Sequence, residues 1–369
     1  MVFGEHSGFF KLLGIPIFME LSLMSIFLMM SGFLMYYSYA QRDLTSNIVD
    51  NAKFAIGKIK KLYPLHVETA LIQLVFNIIF YFDIFVGHPE WFAGYSFRVC
   101  INLALLQAWF PDRVKYTFFL NGPSWFLSVM LFAYFMFPLI LKLIKRLGTI
   151  RNNAIAIVVI FAVAYIATII CGLIAGFNVD VTENVNQNDV FLWFTMNSPI
   201  MRLTDFMIGC IIGFIYSERR KNKDIDAKAH SKGLWTFLEI MAFVYFLVIS
   251  VILVYLFFML GDFGIAFVFC PPGLPCLLGL PVLLVCIYER GYLSKLFTWK
   301  PLVYLGDISM YTYLIHYIFT QLWAYMQDYV FGINRTDKIN IYIIPYELIL
   351  TIVISMLYDK LTHYIVKRR

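Results

Sequence analysis

Long apolar stretches almost free of charge recur along the whole chain, and that one feature decides what it can fold into. About 20 apolar residues in a helix, rising 1.5 Å each, cross the roughly 30 Å hydrocarbon core of a bilayer. Stretches of this kind lie at 15–40, 65–87, 123–144, 153–177, 199–217, 234–258, 265–288, 303–325 and 341–364. Residues 97–110 are apolar but too short to cross, and read as a re-entrant or interfacial segment. The fold class predicted is therefore all-α: a polytopic transmembrane helical bundle of about nine spans plus that short segment. With 61% hydrophobic and only 14% charged residues, no polar stretch is left for a separate soluble domain. Residues 1–369 read as one integral membrane domain.

Charge gives the orientation. The net charge of +6 is concentrated in short connections rather than in a nucleic-acid-binding face, so no nucleic-acid partner is expected. Loop 41–63 carries Arg42, Lys53, Lys58, Lys60 and Lys61; loop 142–152 carries Lys142, Lys145, Arg146 and Arg151; loop 218–233 carries Arg219 and Arg220; and the tail ends Lys367-Arg368-Arg369. Alternating spans bring these to one side, the cytoplasmic one by the positive-inside rule, with 178–189 facing out. The expected location is the cell membrane, as a multi-pass protein. On this count residue 1 starts outside, although residues 1–14 hold no signal peptide, so a preceding span is expected.

The few polar groups inside apolar runs are the functional candidates, because ionisable groups at membrane depth are costly. Arg202 and Asp205 are three apart, on one helix face, and can pair. They either bind a carbonyl or anionic group or hold helices together. Gly209 and Gly213 form a G-x-x-x-G spacing that admits a close neighbouring helix. His316 lies inside a span one turn from Tyr313 and serves either as a base or in an interhelical hydrogen bond. Ser124 and Ser128 share a face behind Asn121-Gly122-Pro123, a helix-starting turn. Trp125 reads as an interfacial aromatic. Asp359 and His363, four apart, belong at the inner headgroups, and Glu20 and Glu239 at span ends. Cys100, Cys171, Cys210 and Cys286 read as small buried apolar residues, while Cys270 and Cys276 flank PPGLP, where a disulfide needs an oxidising side. Asn334-Arg335-Thr336 is a glycosylation triplet if the loop faces outward in a eukaryote. No metal-ligand spacing is present.

Five segments then line up with a known family. NGPSWFLSVMLFAYFMFPLILKLIKR (121–146) closely resembles the SWxLSVxxxxYxxxP signature of the membrane acyltransferase-3 family. In the same order, IFLMMSGFLM (26–35), IKKLYPLH (59–66), MRLTDFMIGCIIGFIY (201–216) and PLVYLGDISMYTYLIHY (301–317) resemble its other signature elements. The resemblance covers roughly 20–365. It departs in two places. Met130 stands where many members have Glu after SV, and the family's first helix, with Arg or Lys ten residues before a His, has no counterpart; His6 has no such basic partner.

The resemblance implies an integral-membrane O-acyltransferase that moves an acetyl or other short acyl group from acyl-CoA to a hydroxyl of a surface polysaccharide, related glycan or lipid-linked sugar. No cofactor is expected to stay bound; acetyl-CoA or another acyl-CoA is the donor. The expected roles are Lys58, Lys60, Lys61, Arg219 and Arg220 at the CoA phosphates, Arg202 at the oxyanion, Ser128 and His316 in catalysis, and Trp125, Asp205 and Tyr313 at substrate. Without the first-helix His, the 369 residues are expected to lack turnover. The alternatives are a non-catalytic or truncated family member and a polytopic transporter or flippase.

Overall fold

The structure is a computed structural model that describes residues 18–42, 44, 47–80, 89–175, 189–221, 231–260, 273–329 and 344–368. All regular structure among these is helical. In chain order the helices are α1 (Phe18–Tyr39), α2 (Ile48–Ile59), α3 (Tyr63–Phe80), α4 (Pro89–Leu103), α5 (Trp125–Leu147), α6 (Ile150–Ala175), α7 (Pro199–Lys221), α8 (Lys232–Leu260), α9 (Gly273–Ile287), α10 (Tyr292–Phe297), α11 (Lys300–Asp307), α12 (Ser309–Tyr329) and α13 (Ile344–Arg368). Short turns at Gln107–Trp109, Arg113–Thr117 and Gly122–Ser124 link α4 to α5, and Asp189–Leu192 with Trp193–Asn197 leads into α7.

Among the described residues, five stretches are long and apolar enough to cross a membrane: Tyr63–Phe80, Gly122–Leu147, Ile150–Ala175, Val190–Lys221 and Lys232–Ile252. The nine crossings expected are thus not all established. Helices stand at the other expected positions, but only 273–288 of 265–288 is described, and 303–325 is interrupted at Ile308 between α11 and α12. Of the short segment 97–110, residues 97–103 close α4, whose 15 residues reach about 22 Å, less than a crossing, and the remainder is turn structure that includes Gln107–Trp109. Loop 41–63 is not irregular: it folds as α2, capped where Asn47 Oδ1 accepts from Asp50 N at 2.8 Å. Helix α5 ends at Gly148, whose φ of +71° is the left-handed conformation that favours glycine.

Contacts group the chain into two compact units. One holds Ile59–Ser128 and Lys300–Arg369; the other holds Phe18–Lys58 and Val129–Trp299. In the second unit, α7 lies between α1 and α6, while α9 packs on α1 and α8. Its core sets Ala133, Phe137, Ile140 and Leu141 of α5 against Phe206, Cys210, Ile211 and Phe214 of α7. In the first unit, α12 packs on both α3 and α13, and the Gly122–Ser124 turn rests on α12.

Lipid tails are as apolar as these side chains, so helix pairing in a bilayer relies on close packing and hydrogen bonds. The α1–α7 pair shows both. A Cβ on Gly32 would run into the Phe206 carbonyl, and one on Gly209 into the Met29 backbone. Gly213 faces Tyr36 and the Phe33 carbonyl. The G-x-x-x-G spacing therefore does admit a neighbour, and that neighbour carries its own glycine in return.

Candidate functional site

In the second unit, close approach of α1 to α7 brings Ser25 to Arg202. Arg202 Nη1 donates to Ser25 Oγ at 2.9 Å and to Asp205 Oδ2 at 3.0 Å, and Nη2 donates to the Thr195 carbonyl at 2.8 Å. Arg202 and Asp205 are fully buried, and they pair as the spacing predicts. Arg202 Nε takes no partner among the described residues. The guanidinium thus ties α1, α7 and the turn before α7 together and keeps one donor available. Nearly two turns further along α1, Ser31 hydrogen-bonds Tyr134 at 3.2 Å, and Tyr134 stands edge-on to Phe206. Three of the signature segments, 26–35, 121–146 and 201–216, meet here.

The first unit gathers the remaining signatures around the Asn-Gly-Pro turn. Asn121 Nδ2 donates to Thr69 Oγ1 and to the Leu314 carbonyl, both at 2.9 Å. Gly122 lies under the Tyr317 ring, 3.0 Å from where a Cβ would stand. Tyr313 donates to the Pro123 carbonyl at 2.9 Å and sets its ring against Phe126, 5.8 Å between centroids. His316 is buried, 6.0 Å from the Tyr313 ring, with Nδ1 3.2 Å from the Thr312 carbonyl. Ser124 does not bond within its own helix; its Oγ and carbonyl accept from Gln107 Nε2 at 3.2 and 3.0 Å. Ser128 Oγ is buried and takes no partner among the described residues. Trp125 is only 5% exposed, so it is a core residue against Phe126 and not an interfacial belt aromatic.

Of the expected site residues, Arg202 and Asp205 are brought together in the second unit, and Tyr313, His316 and the turn before Trp125 and Ser128 in the first. The expected phosphate-binding cations differ in how committed they are. Lys58 Nζ is bound to the Tyr39 hydroxyl and lies 4.0 Å above that ring. Arg220 donates to Tyr37 at 3.1 Å. Lys60, Lys61 and Arg219 are exposed, with Lys61 5.4 Å from the Tyr311 ring centroid.

Several readings change. Glu239 is not a solvated span-end carboxylate: it is fully buried and accepts from the amides of Gly291, Leu293 and Ser294 at 3.0, 2.9 and 3.2 Å. These are the amides that a helix start leaves without intrahelical partners. Only Cys210 of the four cysteines read as buried is so; Cys171 and Cys286 are half-buried and Cys100 is exposed. His363 and Asp359 do pair, at 3.3 Å. The Glu20 side chain, the Cys270–Cys276 pairing and the Asn334 triplet lie outside the described residues, and among those described no cluster could hold a metal.

Sequence reasoning passed over a set of neutral polar side chains. His66, Thr69, Gln73, Asn102, Gln107 and Asn121 are all buried in the first unit. The spacing of His66, Thr69, Gln73 and Asn77 (three, four and four residues) marks one helix face and was the available signal.

A family model described as an acyltransferase domain, of the acyltransferase-3 type, matches residues 3–360. The match begins ahead of His6, which lies outside the described residues. Acyltransferase MdmB of Streptomyces mycarofaciens is 26% identical over 194 residues, covering 52% of this chain and 45% of that protein. No solved structure matches the chain. Because the match runs across nearly all of it, the chain belongs to the acyltransferase-3 family.

Proposed function

We propose that this protein is a membrane O-acyltransferase that moves a short acyl group, acetyl by default, from acyl-CoA to a hydroxyl of a glycan or lipid-linked sugar. The family match over residues 3–360 carries this reading. In the reaction, the acceptor oxygen forms a C–O bond to the acyl carbon, the thioester C–S bond breaks, the hydroxyl proton passes to a base, and CoA leaves as its thiol. His316 is the candidate base and Ser128 a donor or relay. Arg202, already held by Asp205, keeps Nε–H for a developing oxyanion. Trp125 and Tyr313 serve the acceptor side of the first unit. Lys60, Lys61 and Arg219 are the available phosphate partners, whereas Lys58 and Arg220 are already engaged by Tyr39 and Tyr37. The protein resides in the cell membrane with its basic loops in the cytoplasm, where acyl-CoA is found.

The test supplies radiolabelled acetyl-CoA to the purified protein in proteoliposomes with membrane glycan, and follows label in glycan and free CoA. With His316 as base in place of the first-helix His, protein-dependent release of CoA together with label in glycan is expected. CoA release no greater than in protein-free liposomes overturns the reading.

A further inference from the structure

Helix α3 is apolar on its exposed face and polar on its buried one. Leu71, Ile72, Val75, Ile78 and Ile79 are exposed, whereas His66, Thr69 and Gln73 are buried and Asn77 half-buried on the opposite face. Each inward group has a defined partner. His66 Nε2 is 3.0 Å from the Asn102 carbonyl. A carbonyl only accepts, so Nε2 carries the proton and Nδ1 presents a lone pair. Gln73 Nε2 donates to Tyr325 Oη at 3.0 Å, and Tyr325 donates to Asn77 Oδ1 at 2.9 Å. Asn102 Nδ2 donates to the Phe119 carbonyl at 2.9 Å, Asn121 Nδ2 to the Leu314 carbonyl and Gln107 Nε2 to the Ser124 carbonyl.

In Asn102, Gln107 and Asn121 these contacts fix which end of the amide is which, since the nitrogen must face the carbonyl; Gln73 sets its nitrogen toward Asn77 Oδ1 and Tyr325 Oη. The other ends form a set. His66 Nδ1, Gln73 Oε1, Asn102 Oδ1, Gln107 Oε1 and Asn121 Oδ1 are buried and accept from no described residue. Buried acceptors are normally satisfied, and here every one is neutral. An anion would be repelled by their lone pairs. From His66 to Gln73 the helix rises about 10 Å, too far for one cation, whose oxygen ligands lie within about 2.6 Å. A molecule bearing several O–H donors meets the requirement.

We propose that this carboxamide and imidazole seam in the first unit is a recognition subsite for a neutral, hydroxyl-rich ligand. Identifying that ligand as the acyl acceptor rests on the acyl-transfer reading above; the binding chemistry does not.

Calorimetric titration of the full chain in nanodiscs, without acyl-CoA, tests it. The probe is octyl β-maltoside below its micellar concentration. Octyl phosphate, octyltrimethylammonium and octyl tetrahydropyranyl ether share its tail and replace its head. Saturable binding of the maltoside at least ten-fold tighter than any of the three is expected. Gln73→Met, of similar size and at a position whose amide nitrogen touches only side chains, is expected to weaken maltoside binding at least ten-fold while still folding. Equal binding of the hydroxyl-free ether overturns the proposal and leaves the seam as a hydrated structural feature. So does wild-type affinity in a folded Gln73→Met, or preference for the charged heads. If Gln73→Met does not fold, the head-group series on the unaltered chain decides. Acetyl-CoA consumption without maltoside preference sinks the seam alone; maltoside preference without acetyl-CoA consumption sinks acyl transfer alone.

Discussion

Arg202 divides its hydrogen bonds among Ser25, Asp205 and the Thr195 carbonyl, so its removal is felt in more than one element. Breaking a buried ion pair by taking away one partner typically costs about 3–5 kcal/mol. Arg202→Gln is therefore expected to lower the melting temperature of the detergent-solubilised protein sharply. Arg202→Lys keeps the charge but not the fork, and should recover only part of the loss. Unchanged melting in Arg202→Gln would make the pair peripheral. Glu239 is a buried charge of a different kind, since its partners are backbone amides and its work is to seat α10. Glu239→Ala strands those amides and should cost about 1–3 kcal/mol in the same assay. Gly291→Ala should act in the same direction, because a Cβ there collides with the Glu239 carboxylate. Neither change at α10 is expected to alter the acyl-CoA KM of the protein that remains folded, which separates this carboxylate from the Arg202 pair in an activity assay.

At the scale of elements, the α1–α7 contact is the tightest feature, and two glycines govern it from opposite sides. Gly32→Val and Gly209→Val are expected to abolish monodisperse protein, because the obstacle is backbone and cannot move aside. Gly57 in α2 has nothing within 4 Å of a Cβ, so Gly57→Ala should instead stabilise by up to about 1 kcal/mol through helix propensity. Equal tolerance at Gly32 and Gly57 in size-exclusion chromatography would refute the close-packing account. This contact was legible beforehand, since Gly209 and Gly213 carry the spacing that close helix packing needs, and so was the Arg202–Asp205 pair. Two things were not. Trp125 near a span end has the same sequence context whether it meets lipid headgroups or Phe126; only the fold of the turn before it decides. The seam on α3 escaped because Asn, Gln and Thr cost little enough at membrane depth to attract no notice one at a time. Their meaning lies in sharing a face, and their partners Asn102, Asn121 and Tyr325 come from distant parts of the chain. Nor did the basic loop 41–63 announce α2, whose exposed Ile48, Val49 and Ile56 sit among its lysines.

For the whole molecule, orientation is the property most open to a decisive experiment. A cysteine introduced at position 225, in a background where Cys100 and the other native cysteines are replaced, is expected to react with an impermeant maleimide only after the cells are opened. Labelling in intact cells would reverse the assignment of the basic loops. Helix α6 adds a constraint of another sort. Ile155, Val158, Val159, Val163, Ile166, Ile170, Leu173 and Ile174 are exposed, and its buried positions are the small or polar Asn153, Ala164, Thr168 and Gly172. Its 26 residues extend about 39 Å, against about 30 Å of hydrocarbon. Arg151 and Asn152 in the first turn, with Asn152 Nδ2 donating to the Leu147 carbonyl at 3.0 Å, belong among the headgroups and set the depth at that end. The surplus length falls on the other end, where the helix must lean or the surrounding lipid must thicken. Membrane thickness thereby becomes a variable of this protein in its own right: a host bilayer of short acyl chains forces on α6 a tilt that one of long chains does not.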